Sequence, residues 1–207
     1  MNEQLIQYIE QKFPGLRHDI HLRFELGEPY DNGTDERIKQ VMYRVTTLFA
    51  HVFVPNDFVY LYIEDWEEED PMFGNTTPNY IYDLLNGHNF EEQTMVDVEE
   101  DEDPLGNPVP FENERKLKIT CSQIRRIPYQ KILEGIANYE QGREPKIGQR
   151  VHFICPEKDI VFLMYDDRGC IFYSDDPEKL RSMYVKFNDW IVDYWRQSID
   201  EIFGGGK

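Results

Sequence analysis

The stretch that decides the fold reads DIVFLMYDDRGCIFY and covers residues 159–173. Asp159–Tyr165 is an apolar run of strand length, and Cys170–Tyr173 is a second one. Between them Asp166-Asp167-Arg168-Gly169 has the residues of a tight turn, with Gly169 expected at a positive φ. Two short strands joined this way return antiparallel, so the chain contains an antiparallel sheet.

Working outward, Val151–Cys155 reads as the preceding strand. Asp176-Pro177 caps and starts a helix carrying Leu180, Met183, Tyr184 and Phe187, and Ile191, Tyr194 and Trp195 continue its pattern. Upstream, Pro128 opens a helix with Ile132, Leu133, Ile136 and Tyr139 on one face, and Gly142 closes it. Near the start, Leu5, Ile6, Ile9 and Phe13 sit at helical spacing, while Ile20, Leu22, Phe24 and Leu26 alternate as a half-buried strand does. Thr34 is an N-cap for a helix whose stripe runs Ile38, Val41, Val45, Leu48 and Val52 and which ends before Pro55. Strands are expected at Phe58–Ile63, Gln93–Val98 and Arg115–Cys121, with a short helix at Pro78–Leu85. The pattern predicts a single α+β domain over residues 1–203, a mostly antiparallel or mixed sheet with helices packed on it, and a disordered tail at 204–207.

Charge is distributed unevenly. No Lys or Arg lies between Arg44 and Arg115, yet that span holds 18 of the 40 acids, and the flanks nearly cancel. The net charge of −18 therefore belongs to residues 45–114. Within it, Glu64–Asp70 is expected as an acidic exit loop. Glu99–Pro110, five acids followed by Pro104, Gly106, Pro108 and Pro110, is expected as a mobile loop. Ordinary surfaces intersperse both signs, and a one-sided excess costs stability by self-repulsion. With pI near 4.6 the chain lacks the basic footprint that phosphate binding needs, so neither nucleic acid nor an anionic membrane is an expected partner.

Motifs with a stated mechanism are absent: there is no HExxH, GxSxG, phosphate-binding Gly-rich loop or calcium loop. Cys121, Cys155 and Cys170 form no CxxC pair, which suits reduced thiols. His152 and Cys155 project from opposite faces of a regular strand, which counts against a Cys-His nucleophile. No leader-like segment opens the chain and no apolar run is long enough to span a bilayer, so a cytoplasmic protein is expected. No cofactor and no metal are called for, and a non-enzymatic protein is expected.

The segment Asp166–Gly169, with Tyr184, Phe187-Asn188-Asp189-Trp190, Asp193-Tyr194 and Ile199 to Phe203 after it, resembles the C-terminal signature of a bacterial family, the domain of unknown function 3885. That family-like segment spans 159–203, and His21–Gly27 is similar to the opening of its longer members. The resemblance implies a bacterial cytosolic origin and one continuous domain, and it implies no activity.

Two groups of residues follow as candidates. Trp66, Glu67, Glu68, Glu69, Asp70, Phe73, Glu99, Glu100, Asp101, Glu102 and Asp103 combine acids with aromatic anchors, the makeup of an interface with a basic protein. A nuclease-like toxin is the natural target, because its own substrate is polyanionic; the chain would then be an immunity or antitoxin protein. Asp166, Arg168 and Gly169 with Asn188 and Asp189 are expected as a polar anchor between hairpin and helix. Alternatively, they would surround the site of a small enzyme or ligand-binding domain. A self-associating structural module with solvated acidic loops is the remaining reading.

Overall fold

A computed structural model describes residues 2–66, 80–102 and 108–204. In chain order the elements are α1 (Asn2–Lys12), β1 (His21–Glu25), α2 (Asp35–Val52), β2 (Phe58–Trp66), α3 (Tyr80–Leu84), β3 (Glu91–Glu102), β4 (Pro108–Gln123), α4 (Tyr129–Tyr139), β5 (Arg150–Cys155), β6 (Ile160–Asp166), β7 (Gly169–Ser174), α5 (Pro177–Lys186) and α6 (Arg196–Phe203). The described strands form one seven-stranded sheet in the order β1-β7-β6-β5-β2-β4-β3, and every neighbouring pair is antiparallel. The fold is α+β.

Alternation along β2 sorts the two faces. Val59, Leu61 and Ile63 point into the main core, where they meet Val45, Leu48 and Phe49 of α2 and Ile132, Leu133 and Ile136 of α4. Phe49 sits at its centre, with ring centroids of Tyr129 at 4.5 Å, Phe153 at 5.1 Å and Phe162 at 5.3 Å. Tyr62 points the other way, into a smaller cluster where Leu5, Ile9 and Phe13 of the α1 region lie on Leu117, Ile119, Ile154 and Val161. Thr34 caps α2 as its sequence suggests, its hydroxyl accepting from the Arg37 amide at 3.3 Å.

Several expectations need correction. The apolar stripe after Phe187 is not one helix. Phe187 closes α5, a short 3-10 turn at Asn188–Trp190 follows, and Ile191 leaves the helix to make a β-bridge with Phe24. Tyr194 is accordingly 85% exposed. Glu64, Asp65 and Trp66 are not an exit loop but the last residues of β2, opposite Leu117, Lys116 and Arg115. The loop expected over Glu99–Pro110 is largely strand: Glu99, Glu100, Asp101 and Glu102 pair with Phe111, Pro110, Val109 and Pro108. Backbone hydrogen bonds carry a ladder whatever the side chains, so acids and prolines mislead a reading based on side-chain pattern. Pro108 and Pro110 are tolerated because β4 runs past the end of β2 there, leaving its other side without a described neighbour.

Candidate functional site

The acidic segment divides into a root whose acids meet bases from the flanks and a hairpin arm whose outer half carries no base in its sequence. At the root, Arg115 donates to Glu64 at 2.7 Å, Lys118 lies 3.5 Å from Asp65, and Lys158 pairs with Asp57. Tyr82 also donates to Asp65, and the Lys118 ammonium sits 4.0 Å from the centre of the Tyr82 ring. Burial, then the Asp65 carboxylate, pushes the Tyr82 phenol well above its ordinary range. These bases come from outside residues 45–114, so the fold brings the flanks' positive charge to the inner acids.

The arm is the β3–β4 hairpin. Lys118 stands in register with Glu92, Lys116 with Thr94 and Arg115 with Met95, but every later pair, from Val96↔Glu114 to Glu102↔Pro108, lacks a base. β3 is the last strand of the sheet and carries seven acids in twelve residues. Its side chains from Glu91 to Val96 are exposed, with Met95 alone half-buried. Of the residues expected to bind a partner, Trp66 ends β2, and Glu99, Glu100, Asp101 and Glu102 lie on β3. Glu67, Glu68, Glu69, Asp70, Phe73 and Asp103 fall outside the described residues.

The Asp166–Gly169 turn does something else. Asp167 is buried and takes the Nε–H of Arg37, itself 5% exposed, at 2.5 Å. Arg37 also donates from Nη1 to the Tyr30 carbonyl at 2.6 Å. Gly27 makes room for this pair, since a Cβ there would stand 2.4 Å from the guanidinium carbon. Arg168 clamps Asp166 through its amide at 2.7 Å and its Nε at 2.8 Å, and reaches Glu140, the C-cap of α4, at 3.3 Å. Burial, then repulsion from Asp166, holds the Glu140 carboxyl above its usual range. The turn thus ties α2 and α4 to the β6–β7 hairpin.

Two details of the expected anchor are corrected. Gly169 is not at positive φ; it is needed because a Cβ would lie 2.1 Å from the Tyr165 hydroxyl and 2.6 Å from the Phe24 carbonyl of the adjacent β1. Asn188 and Asp189 do not complete the anchor with Arg168. Asn188 accepts from Arg196 at 2.8 Å, Asp189 is exposed, and Arg168 is engaged by Asp166 and Glu140. The side chain missed by sequence reasoning is Arg37, whose place on the inner side of a helix start was the available signal.

Glu140, Asp166 and Asp167 are the described group whose oxygens lie close enough together, within 4.8 Å, to hold a metal ion. In this arrangement the guanidiniums of Arg168 and Arg37 supply the positive charge. Elsewhere, burial, then Arg150 and Arg17, pushes the His152 imidazole down to about 3. Burial raises the thiols of Cys121, Cys155 and Cys170, which keeps them protonated and weakly nucleophilic. A groove of about 570 Å³ lies where β4 continues past the start of β3, lined by Phe58, Tyr60, His88, Phe90, Cys121 and Arg126 among others. No described helix is long and apolar enough to cross a membrane.

Fold and surface define an α+β protein on one antiparallel sheet with an acidic hairpin at its edge. The chain belongs to the family described as domain of unknown function (DUF3885), whose signature matches residues 5–195, far more than the C-terminal resemblance alone covers. It is similar to the uncharacterized protein YnaE of Bacillus subtilis (strain 168), 26% identical over 216 residues that cover 92% of this chain and 98% of that one. No solved structure matches it significantly.

Proposed function

We propose that this chain is a non-catalytic binding protein that engages a basic protein through the acidic β3–β4 hairpin. The observation that carries the reading is the split of charge. Acids near the core are matched by Arg115, Lys118 and Lys158, while β3, the last described strand of the sheet, has seven acids and no base in its sequence. Such an arrangement raises the encounter rate with a cationic surface and excludes polyanions. A cytoplasmic setting and a basic nuclease-type toxin as target, which would make the chain an immunity or antitoxin protein, are the finer form of this proposal.

The test compares wild type with a variant in which Glu99, Glu100 and Glu102 become Gln and Asp101 becomes Asn. Both are immobilised and exposed to lysate of the source cells at low salt, then eluted by a salt step. Retained proteins are identified by mass spectrometry, purified and titrated back. A basic protein held by wild type, released by salt and bound at least tenfold more weakly by the variant supports the reading. Equal retention by the two would sink it. Suppression of a retained nuclease's activity by wild type alone would establish the finer form.

A further inference from the structure

We infer that the basic partner docks as an added strand on the outer edge of β3, which no described strand covers, a mode that rests on the acidic-partner reading and specifies its geometry. The prolines of β4 reveal which backbone groups are on offer. Pro108 and Pro110 have no N–H, yet they hold register with Glu102 and Glu100 in an unbroken antiparallel ladder. They must occupy the positions whose backbone groups turn away from β3, because an antiparallel ladder alternates between pairs that exchange hydrogen bonds and pairs that do not.

Parity then runs the length of the hairpin. The odd-numbered residues of β3, Glu91 to Asp101, bond to β4. The even-numbered ones, Glu92, Thr94, Val96, Val98, Glu100 and Glu102, turn N–H and C=O outward. Among the described residues nothing pairs with that outer side. Six residues with outward-facing donors and acceptors form a template for another strand.

Charge selects the occupant. A second copy of this chain would set β3 against β3, acid against acid, which disfavours self-pairing. A Lys- or Arg-rich extended segment would find its cross-strand neighbours acidic. Charged side chains on an edge discourage aggregation, and β3 has seven acids in twelve residues. The backbone supplies the ladder and the acids choose the sequence that joins it.

The probe is a fluorescein-labelled decapeptide of alternating lysine and threonine, beside the same peptide N-methylated along its whole backbone. Both are titrated at low salt against wild type, against the Glu99–Glu102 amide variant described above, and against a Thr94→Pro, Val96→Pro double variant. The double variant removes two outward N–H groups and no acid. Strand addition predicts at least tenfold weaker binding by the methylated peptide and by the proline variant. It also predicts at least tenfold slower amide exchange at Thr94 and Val96 of wild type on adding the unmodified peptide. If both peptides bind wild type and the proline variant equally but not the amide variant, the acidic-partner reading survives and strand addition is overturned. If neither peptide binds wild type, both are overturned. The methylated peptide needs no protein variant, so misfolding of the proline form does not decide the result.

Discussion

At β1 the outer side of the sheet is taken up by the chain itself: Ile191 bridges Phe24, and the Val192 amide donates to the Arg23 carbonyl at 3.0 Å. At β3 the edge is twelve residues long, strongly acidic, and without a described neighbour beyond β4. An open edge is a liability in any sheet protein, and these are two different ways to manage it. Covering β1 with backbone at Phe24 occupies the Arg23 carbonyl and blocks the middle of the strand. Charging β3 repels unwanted strands but leaves its backbone groups available. Only the second solution is compatible with a selective partner.

The largest expected effect concerns the turn beside the covered edge, where Leu26 also donates to the Arg168 carbonyl at 2.9 Å. Asp167→Ala leaves the buried Arg37 guanidinium without its carboxylate and should cost about 4 kcal/mol in urea unfolding. A loss under about 1 kcal/mol would mean the pair contributes little to holding β1 and α2 together. At the other edge, Met95→Pro removes an inward N–H and should cost about 2 kcal/mol, whereas Thr94→Pro should stay within about 0.5 kcal/mol. Equal costs would refute the assigned parity.

Between the edges, on central β5, acid should act through His152. Its folded pKa, about 3, lies below the unfolded value near 6.5, so below pH 6.5 the unfolded chain binds the extra proton. The stability this provides is complete above pH 6.5 and declines as pH falls toward 3. We expect a loss of about 3 kcal/mol by pH 4 that His152→Leu abolishes, measured by chemical denaturation across pH.

A smaller effect isolates the cover on β1. Val192 already has φ −60 and Ile191 is extended, so Val192→Pro fits the backbone and deletes only the bond to Arg23. Its expected cost is about 1 kcal/mol. The smallest effect belongs to the charged edge: changing Glu99 and Glu100 to Gln should raise stability by about 0.5 kcal/mol at low salt and by nothing measurable at 1 M salt. A gain that persists at high salt would show that repulsion is not the cost being relieved.

Most of the sheet could be read directly, because its strands alternate or are bounded by turn residues: Leu22 and Phe24, Val59 to Ile63, and the hairpin through Asp166–Gly169. What escaped depends on contacts distant in sequence. Nothing local to Gly169 reveals that Tyr165 and Phe24 crowd it. Nothing local to Arg37 names Asp167, 130 residues away, as its partner. The extent of β3 and β4 was hidden for the opposite reason, since acids and prolines resemble a loop while the backbone ladder continues beneath them. For the candidate surface, the concentration of acid was legible from the missing bases, but not its position at the end of the sheet.

The pairing of Leu22 with Phe172 joins residues from the two ends of the chain. During synthesis the hairpin of β3 and β4 can form once Gln123 has emerged, whereas β1 waits for the last third of the protein. For that interval its apolar residues Leu22 and Phe24 lack the strand that will shelter them. The acidic hairpin needs no residue beyond Gln123 for its own pairing, so the two edges of the sheet are completed at different times.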